Sequence, residues 1–474
     1  MSEPSTARLD VPTDDESDTT IDETNQVMKS YLRKVDLRVA AFLCFGYGSV
    51  LLNRSATSFS KIQGIEKQLN MHGTQYNTLL ALFYPTFLFF QLPLNLVYRK
   101  VGARLYIPSM LFFAGALSVC VLGVRTYSAM LAIRILEGCF QAGFCSAVFF
   151  TLSLWYPREY LATRTSWVIS STCLAGILFS AFSLCLSKLD TPTPIYSWQY
   201  LYLLVGLIAC FSGIFGFVFI RDHPDTASFL TEQERALIAQ VMSKNDLQAS
   251  LSNKISVHQI IQGLTDWRLL MFMIIDFANN FVGASASGWA PVLLTSIGHT
   301  TTTSMLILLV SAILAMLATI ATGWYAQRIK HIGYLQIALS TAGAVVLLIG
   351  VAGVHNKAAR TISVFLLPIL AAPACIVGPT WLNLKIRGTD NSAISNAFAT
   401  AACSIGVFAN SYAYLNTDAP LYIKGSSSNF AMFGAAILSS GVLLYNARNE
   451  NITSSRASFG RSGFKHIQDQ KSCS

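Results

Sequence analysis

The chain has 474 residues and a net charge of +9, with 53% hydrophobic residues and only 12% charged residues. A soluble domain usually carries about 25% charged residues and has no core large enough for this much apolar surface. The composition therefore predicts a membrane protein. The basic residues lie mainly in short loops between apolar stretches, where they orient helices in a bilayer, so the positive charge does not indicate nucleic-acid binding.

Taken in chain order, the sequence begins with a polar region, residues 1–36, that contains the acidic run TDDESDTTIDE. Its composition predicts a disordered cytoplasmic tail. Twelve apolar stretches follow, and each is long enough to cross about 30 Å of hydrocarbon as a helix of about 20 residues. They lie near 37–58, 76–97, 105–124, 128–154, 162–186, 200–220, 269–293, 304–327, 334–354, 361–381, 392–415 and 429–446.

The predicted fold is an all-α membrane protein of twelve transmembrane helices in two six-helix bundles, residues 37–220 and 269–446. A polar linker, 221–268, separates the bundles, and residues 447–474 form a second cytoplasmic tail. In the linker, Thr231 and Glu234 have the spacing of a helix capping box, and Leu237, Ile238 and Val241 follow on one face. This pattern predicts a short cytoplasmic helix that tethers the two halves.

Several chemical functions find no support in the sequence. Nine of the ten cysteines fall within apolar segments and none forms a CxxC pair, so they are interpreted as small buried hydrophobic residues. The seven histidines form no HExxH motif, and no nucleophile elbow or phosphate-binding loop is found. We expect no enzyme activity, no cofactor and no metal site.

A charged side chain at the bilayer centre costs roughly 2.5–3.5 kcal/mol on insertion scales, so such residues face a wet cavity or a partner. The polar residues inside the predicted spans are Arg54, Arg134, Glu137 and Asp276, with Asn53, Gln141, Asn279 and Asn280. At 1.5 Å per residue, Arg134 lies about 9 Å and Glu137 about 14 Å from the outer surface. Arg54 lies about 24 Å along a path of about 30 Å from the inner surface, so both arginines share one layer. Two forked guanidinium groups in one layer are expected to hold a substrate carboxylate between them.

Simpler roles compete with this carboxylate clamp. Arg134 precedes Glu137 by three residues on one helical face and could neutralise it locally, or each arginine could extend to the outer headgroups. Asp276 lies only a few residues inside the inner surface and is interpreted as a helix-end charge, with proton coupling as the alternative. The sequence leaves these alternatives open.

The segment RILEGCFQAGF, followed by LSLWYPREYLATR, resembles spans four and five of the major facilitator superfamily, in particular the fungal allantoate-permease-like branch of its anion:cation symporters. Further matching segments are QYNTLLALFYPTFLFFQLPLNLVYRKVGAR, RDHPDTASFLTEQER, GWAPVLL and DAPLYIKG. The resemblance implies a plasma-membrane permease with cytoplasmic termini and alternating access between two bundles. It also implies uptake of a small organic anion or carboxylate-bearing nutrient, such as a vitamin, a ureide, an amino-acid-like compound or a small peptide.

Two positions depart from the pattern of this family. Span one usually contains Asp-Arg, whereas this chain has Asn53 and Arg54; span four usually contains Arg-x6-Glu, whereas Gln141 follows Arg134 here. The resemblance implies that the two missing carboxyls carry the coupling proton, and an amide cannot titrate. We therefore expect that proton coupling has moved to Glu137, or has been lost to leave facilitated transport.

Further substrate-binding candidates by residue type are Trp289, Trp381 and Asn383, with Asn396 and Asn410; each could instead be an interfacial anchor or a packing residue. The leading hypothesis is a monomeric secondary transporter whose partners are an organic anion, the lipid bilayer and, as the candidate coupling ion, protons. A nutrient sensor that has lost transport and a drug-type exporter are the alternatives. Of these two alternatives, the sensor is favoured by the amides Asn53 and Gln141 at the positions where the family usually has carboxyls.

Overall fold

The computed structural model describes residues 14–186, 196–243, 266–326, 328–329, 332–353, 355–385 and 389–471. All twelve predicted spans are helical, and within these described ranges ten helical segments are long and apolar enough to cross a membrane. The second and eleventh spans are less apolar. The second contains Gln91, Asn95 and the basic pair before Val101, and the eleventh begins with the polar run TDNSAISN.

The first half of the chain contains the helices that precede the linker. Their bounds are α1 Asp14–Val35, α2 Ala41–Ile62, α3 Ile65–Gln68, α4 Gln75–Ala81, α5 Phe83–Val101, α6 Ala103–Cys120, α7 Tyr127–Ala142, α8 Phe144–Trp155, α9 Arg158–Leu186 and α10 Ser197–Phe219. Two predicted spans are interrupted. The second breaks at Leu82 between α4 and α5, and the fourth breaks at Gly143 between α7 and α8.

The linker and the second half contain the remaining helices. Their bounds are α11 Glu232–Ser243, α12 Trp267–Ala284, α13 Ala290–Ser296, α14 Thr301–Ala326, α15 Ile332–Ala352, α16 Lys357–Lys385, α17 Thr389–Ser411 and α18 Ile423–Lys471. A π-helical turn, Ser285–Trp289, joins α12 to α13 and widens the seventh span at its centre. Prolines 368, 373 and 379 lie inside α16, where each removes one backbone hydrogen bond.

Large apolar side chains cover the outer faces of these helices. Phe89, Val218, Leu438 and Tyr445 are each more than 60% exposed to the surroundings of the protein. In water this much exposed apolar surface would be unstable, whereas lipid tails solvate it without cost. The chain is therefore a multi-pass membrane protein.

The amino-terminal region differs from the prediction of a disordered tail over 1–36. Residues 14–35 form helix α1, while residues 1–13 lie outside the described part of the chain. The end of α1 is held against the linker helix α11: Ser30 Oγ donates to Glu234 at 2.8 Å, and Lys34 Nζ approaches the same carboxylate at 2.9 Å. Composition alone missed this helix because its stability comes from tertiary contacts.

The predicted capping box of the linker helix is confirmed. The Glu234 backbone N–H donates to Thr231 Oγ1 at 3.3 Å, and the Thr231 N–H donates to Glu234 Oε2 at 2.9 Å. Burial raises the pKa of Glu234, but the hydrogen bonds from Lys34, the Thr231 N–H and Ser30 outweigh it and hold the pKa below its ordinary value. The clasp between α1 and α11 is therefore charged at neutral pH.

A second contact ties the linker to the loop between spans two and three. Gly102 adopts a left-handed φ of 85°, and a Cβ placed there would lie 2.4 Å from Asp222 Oδ1. The same oxygen accepts the backbone N–H of Arg104 at 2.9 Å, at the start of α6. Only glycine allows this approach, so the motifs VGAR and RDHPD form one structural unit.

The two halves close on each other at the end of α2 that is remote from α1. We call this contact the interhalf seal, formed by Lys61, Tyr76, Asn77, Trp289 and Tyr414. Asn77 Nδ2 donates across the interface to the backbone oxygens of Ser411 and Tyr414, at 2.7 and 2.8 Å. The Trp289 ring meets Tyr76 edge-on and stacks on Tyr414, with centroids 6.0 and 5.2 Å apart. Lys61 Nζ lies 4.4 Å from the Tyr76 ring centre.

Candidate functional site

The centre of the first half holds Arg54, which α2 supplies to the interior. Its Nε donates to Gln141 Oε1 at 3.1 Å, and Nη2 lies 3.8 Å from Cys145 Sγ. The guanidinium carbon is 4.9 Å from the ring centres of both Phe83 and Phe87 on α5. Among the residues that the structure describes, Arg54 forms no ion pair, so its half-buried charge is supported by neutral and aromatic groups only.

Arg134 lies beside it in a different electrostatic setting. Arg134 Nη1 donates to Glu137 Oε2 at 2.8 Å within α7, and both side chains are almost fully buried. Glu137 Oε1 also accepts the Ser118 hydroxyl at 3.2 Å, and Ser118 Oγ in turn accepts Asn53 Nδ2. The local neutralisation left open by the sequence is the geometry of this conformation.

The structure brings the two arginines together as their predicted depths require. The Phe83 ring lies 4.9 Å from the Arg54 guanidinium carbon and 5.5 Å from that of Arg134. The carboxylate clamp itself stays a prediction, because it requires Arg134 to bind a second carboxylate in addition to Glu137. In the present conformation Arg54 carries the uncompensated charge.

Three buried polar atoms around this pair lack a hydrogen-bond partner in the structure. Two are donors, Gln141 Nε2 and Arg134 Nε, and the third is the acceptor Asn53 Oδ1. Because Gln141 Oε1 accepts from Arg54, its amide nitrogen is left as a free donor next to the guanidinium. A buried donor without a partner is costly, and a carboxylate bound at Arg54 is an acceptor that would satisfy it.

In the second half, Asp276 lies at the middle of α12 and is fully buried. Its interpretation as a helix-end charge is therefore wrong, because the carboxyl lies half-way along the helix and packs against Gly378 of α16. In the part of the chain that the structure describes, neither carboxyl oxygen has a hydrogen-bond partner. Its neighbours on α12 are engaged elsewhere: Asn279 Nδ2 donates to Ala374 O at 2.9 Å, and Asn280 Nδ2 to Cys403 Sγ at 3.0 Å.

The remaining candidates are dispersed. Trp289 is a member of the interhalf seal, and Trp381 packs edge-on against Phe272 in the core of the second half, 5.1 Å between ring centres. The side chain of Asn383 lies outside the described residues. Asn410 Nδ2 donates to Ser285 Oγ at 2.5 Å, which ties α17 to the π-helical turn.

Sequence reasoning missed the groups that surround Arg54 and Glu137. Phe83 and Phe87 are one helical turn apart on span two, a spacing that places both rings on one face and could have indicated a platform. Ser118, which links Asn53 to Glu137, gives no such signal. A serine in an apolar helix usually bonds to its own backbone, and Ala114 O, at 3.0 Å, competes with Glu137 for the one hydroxyl hydrogen of Ser118.

Two six-helix halves that meet at the interhalf seal and enclose buried ionisable groups are typical of a membrane carrier. The chain belongs to the Major Facilitator Superfamily, whose family model matches residues 43–411. It is therefore a transporter and not an enzyme.

Curated relatives are fungal and bacterial transporters. The chain is 26% identical to the major facilitator-type transporter hxnP of Emericella nidulans, over 94% of this chain and 91% of that protein. It is 25% identical to the putative metabolite transport protein NicT of Pseudomonas putida, over 82% and 89% of the two chains. A putative tartrate transporter of Agrobacterium vitis is also 25% identical, over 64% and 67%.

Solved structures share the fold. The xylose transporter XylE from E. coli, in a partially occluded inward-open conformation, aligns with a TM-score of 0.64 and 16% identity, over 88% of this chain and 98% of that one. A bacterial homologue of the human lysosomal transporter Spinster aligns with a TM-score of 0.62 and 11% identity, over 85% and 95%. At these identities the likeness shows the fold alone.

Proposed function

We propose that this protein is a secondary transporter for a small organic monoanion, which it binds through a carboxylate at Arg54. The observation that carries the proposal is the half-buried Arg54 guanidinium without a carboxylate partner, next to the free donor Gln141 Nε2. A guanidinium fork with a neighbouring amide N–H matches the acceptor geometry of a carboxylate. The Phe83 and Phe87 rings give the bound molecule an apolar wall.

Charge balance favours a monoanion over a dianion. Arg134 is neutralised by Glu137 in this conformation, so the site in the first half holds one net positive charge, that of Arg54. A second substrate carboxylate would be buried without a cationic partner, which is expensive. A site with one net positive charge is thus a poor match for a dicarboxylate such as tartrate, the compound in the name of the Agrobacterium vitis relative.

The membership in the allantoate-permease-like branch, the plasma-membrane location and the cytoplasmic termini are part of the same proposal. They are supported by the segment RILEGCFQAGF and by the basic residues of the loops assigned to the inside. The interhalf seal would then lie on the outer side. Whether protons drive uptake depends on Glu137 and Asp276, the two buried carboxyls that the described part of the chain places inside the membrane spans.

The test is an uptake panel in a transporter-deficient yeast that expresses the full chain. The panel compares the monocarboxylates nicotinate, pantothenate, biotin and allantoate with the dicarboxylate tartrate. Arg54→Lys should keep the chain at the membrane but greatly reduce uptake, because lysine keeps the charge and loses the fork. Arg125→Lys is the matched control, since Arg125 donates to the carbonyls of Leu122 and Val124 in a loop. Uptake of tartrate alone, or normal uptake by Arg54→Lys, would contradict the proposal.

A sensor that has lost transport is the second candidate. It is favoured by one observation, the amides Asn53 and Gln141 at the positions where the family usually has carboxyls. Exchange of labelled for unlabelled nicotinate, pantothenate, biotin or allantoate across the membrane of proteoliposomes separates the two. A carrier exchanges its substrate, whereas a sensor binds it without moving it.

A further inference from the structure

Asp276 is surrounded by groups that cannot balance a negative charge. The carboxyl is fully buried on α12, and neither oxygen has a hydrogen-bond partner among the described residues. The ionisable groups facing it are the thiols of Cys375 on α16 and Cys403 on α17. Within the described residues, α18 and the π-helical turn, which also pack on α12, place no charged group against it.

An ionised carboxylate in such a setting is strongly unfavourable, since no basic side chain or hydrogen-bond donor of the described residues compensates for its lost hydration. A neutral carboxylic acid avoids most of this cost. Glu137 shows the contrast within the same chain: it is equally buried, but Arg134 and the Ser118 hydroxyl stabilise its charge. One half of the protein thus holds a buried carboxyl locked in an ion pair, and the other half holds one with no partner.

We propose that Asp276 is the proton-binding site of this carrier, occupied in the conformation described and emptied when α16 separates from α12. The proposal rests on the proposed transport function and moves proton coupling from span one and span four, where this chain has amides, to span seven. Release breaks the carboxyl O–H bond, and the proton passes to water that enters the widened gap. Binding is the reverse, so no other reactant is needed.

The contact between α12 and α16 makes this release dependent on conformation. A Cβ placed on Gly378 would lie only 2.4 Å from Asp276 Oδ1, so the α16 backbone lies directly against the carboxyl and excludes water. One turn before Gly378 on α16, Ala374 O accepts a hydrogen bond from Asn279 Nδ2 of α12 at 2.9 Å, which ties the two helices together. The prolines at 373 and 379 flank this point and weaken the backbone ladder of α16 there. A bend of α16 at these prolines would open the carboxyl to solvent.

The first experiment needs no substrate. Infrared difference spectra of the full-length protein in lipid, recorded between acid and alkaline pH, should contain the C=O stretching band of a buried protonated carboxyl. Asp276→Asn should abolish that band, and Glu137→Gln should leave it unchanged, because the Glu137 carboxyl is paired with Arg134. Asp276→Glu should retain a shifted band and serves if the amide variant folds poorly. A band that persists in Asp276→Asn, or that disappears only in Glu137→Gln, overturns the proposal.

The second experiment connects the site to transport. In proteoliposomes with an imposed pH gradient, an external pH below the internal pH should stimulate uptake of nicotinate or pantothenate by the unmodified protein. Asp276→Asn should lose the stimulation while still exchanging labelled for unlabelled substrate, since the amide mimics the protonated acid. If the gradient stimulates Asp276→Asn as strongly as the unmodified protein, the proposal is refuted. If no panel compound is transported by any variant, the proposed function fails, while the infrared band still decides whether Asp276 binds a proton.

Discussion

Replacing Gln141 by glutamate changes one charge and almost nothing else at the site. Gln141 Oε1 accepts the Arg54 Nε–H at 3.1 Å, which orients the guanidinium without neutralising it. A glutamate has the same length and places an anionic oxygen at the same point. We expect Gln141→Glu to turn Arg54 from an anion site into one half of an internal ion pair.

The size of the effect follows from the distance and the burial. Two unit charges about 3–4 Å apart interact by about 4–5 kcal/mol at an effective dielectric constant of 20. Arg54 is half-buried, so solvent screening reduces this figure, and a hydrogen bond to a charged group contributes about 1.5–3 kcal/mol. If the ion pair between the introduced carboxylate and Arg54 contributes about 2–3 kcal/mol, the substrate anion must compete with it, and its binding would weaken about 30- to 150-fold.

The assay is the KM of uptake into proteoliposomes as a function of pH, measured with the best monocarboxylate of the panel. In Gln141→Glu the KM should rise steeply at neutral pH and fall again as acid protonates the introduced carboxyl. Gln141→Leu is the matched control: it removes the acceptor without adding charge and should raise the KM only a few-fold, independently of pH. A KM in Gln141→Glu equal to that of the unmodified protein at neutral pH would refute the assignment of Arg54 as the anion site.

Three further predictions concern other contacts. Glu137→Gln leaves the buried Arg134 guanidinium without its counter-charge and should destabilise the protein by about 3–5 kcal/mol, measured by thermal unfolding in detergent. An unchanged melting temperature would contradict the buried ion pair. Phe83→Leu removes the ring that both arginines share; it should cost about 0.5–2 kcal/mol of cation–π energy and so raise the KM of uptake. Phe89→Leu, on the lipid-facing side, should leave the KM unchanged, and equal effects of the two changes would argue against the aromatic platform. Glu234→Gln should cost about 1 kcal/mol of capping and clasp energy at neutral pH and expose the linker to protease. Because the pKa of Glu234 is lowered in the folded protein, the clasp of the unmodified protein should weaken as the pH falls through that pKa. Equal protease sensitivity of the two proteins at neutral pH would contradict the clasp.

The positions of the twelve spans could be predicted because membrane insertion leaves a strong local signal, about 20 consecutive apolar residues. The breaks at Leu82 and Gly143 could not, since each lies within a continuous apolar run and depends on how neighbouring helices pack. The capping box of Thr231 and Glu234 was predictable because both partners are close in sequence. The contact of Glu234 with Lys34, two hundred residues away, was not.

The site shows the same division between local and distant contacts. Arg134 and Glu137 are three residues apart, so their ion pair could be foreseen as one alternative, and the common layer of Arg54 and Arg134 followed from helix geometry. Depth alone gave the wrong environment for Asp276. Distance from the membrane surface does not say which helices cover a side chain, and the cover comes from α16 and α17, far along the chain.

The interhalf seal has a consequence for how this carrier divides its time between states. Opening that end would break the two hydrogen bonds of Asn77, the contact of Lys61 with Asn416 and the edge-on contact of Tyr76 with Trp289. Hydrogen bonds contribute about 0.5–1.5 kcal/mol each and an aromatic pair a similar amount, so the sealed form is favoured by several kcal/mol over a form lacking equivalent contacts. Each 1.4 kcal/mol of that preference lowers the population of the opened form tenfold, and with it the apparent affinity for a substrate arriving from the sealed side. The same binding site would then show two different affinities, a weaker one from the sealed side and a tighter one from the other.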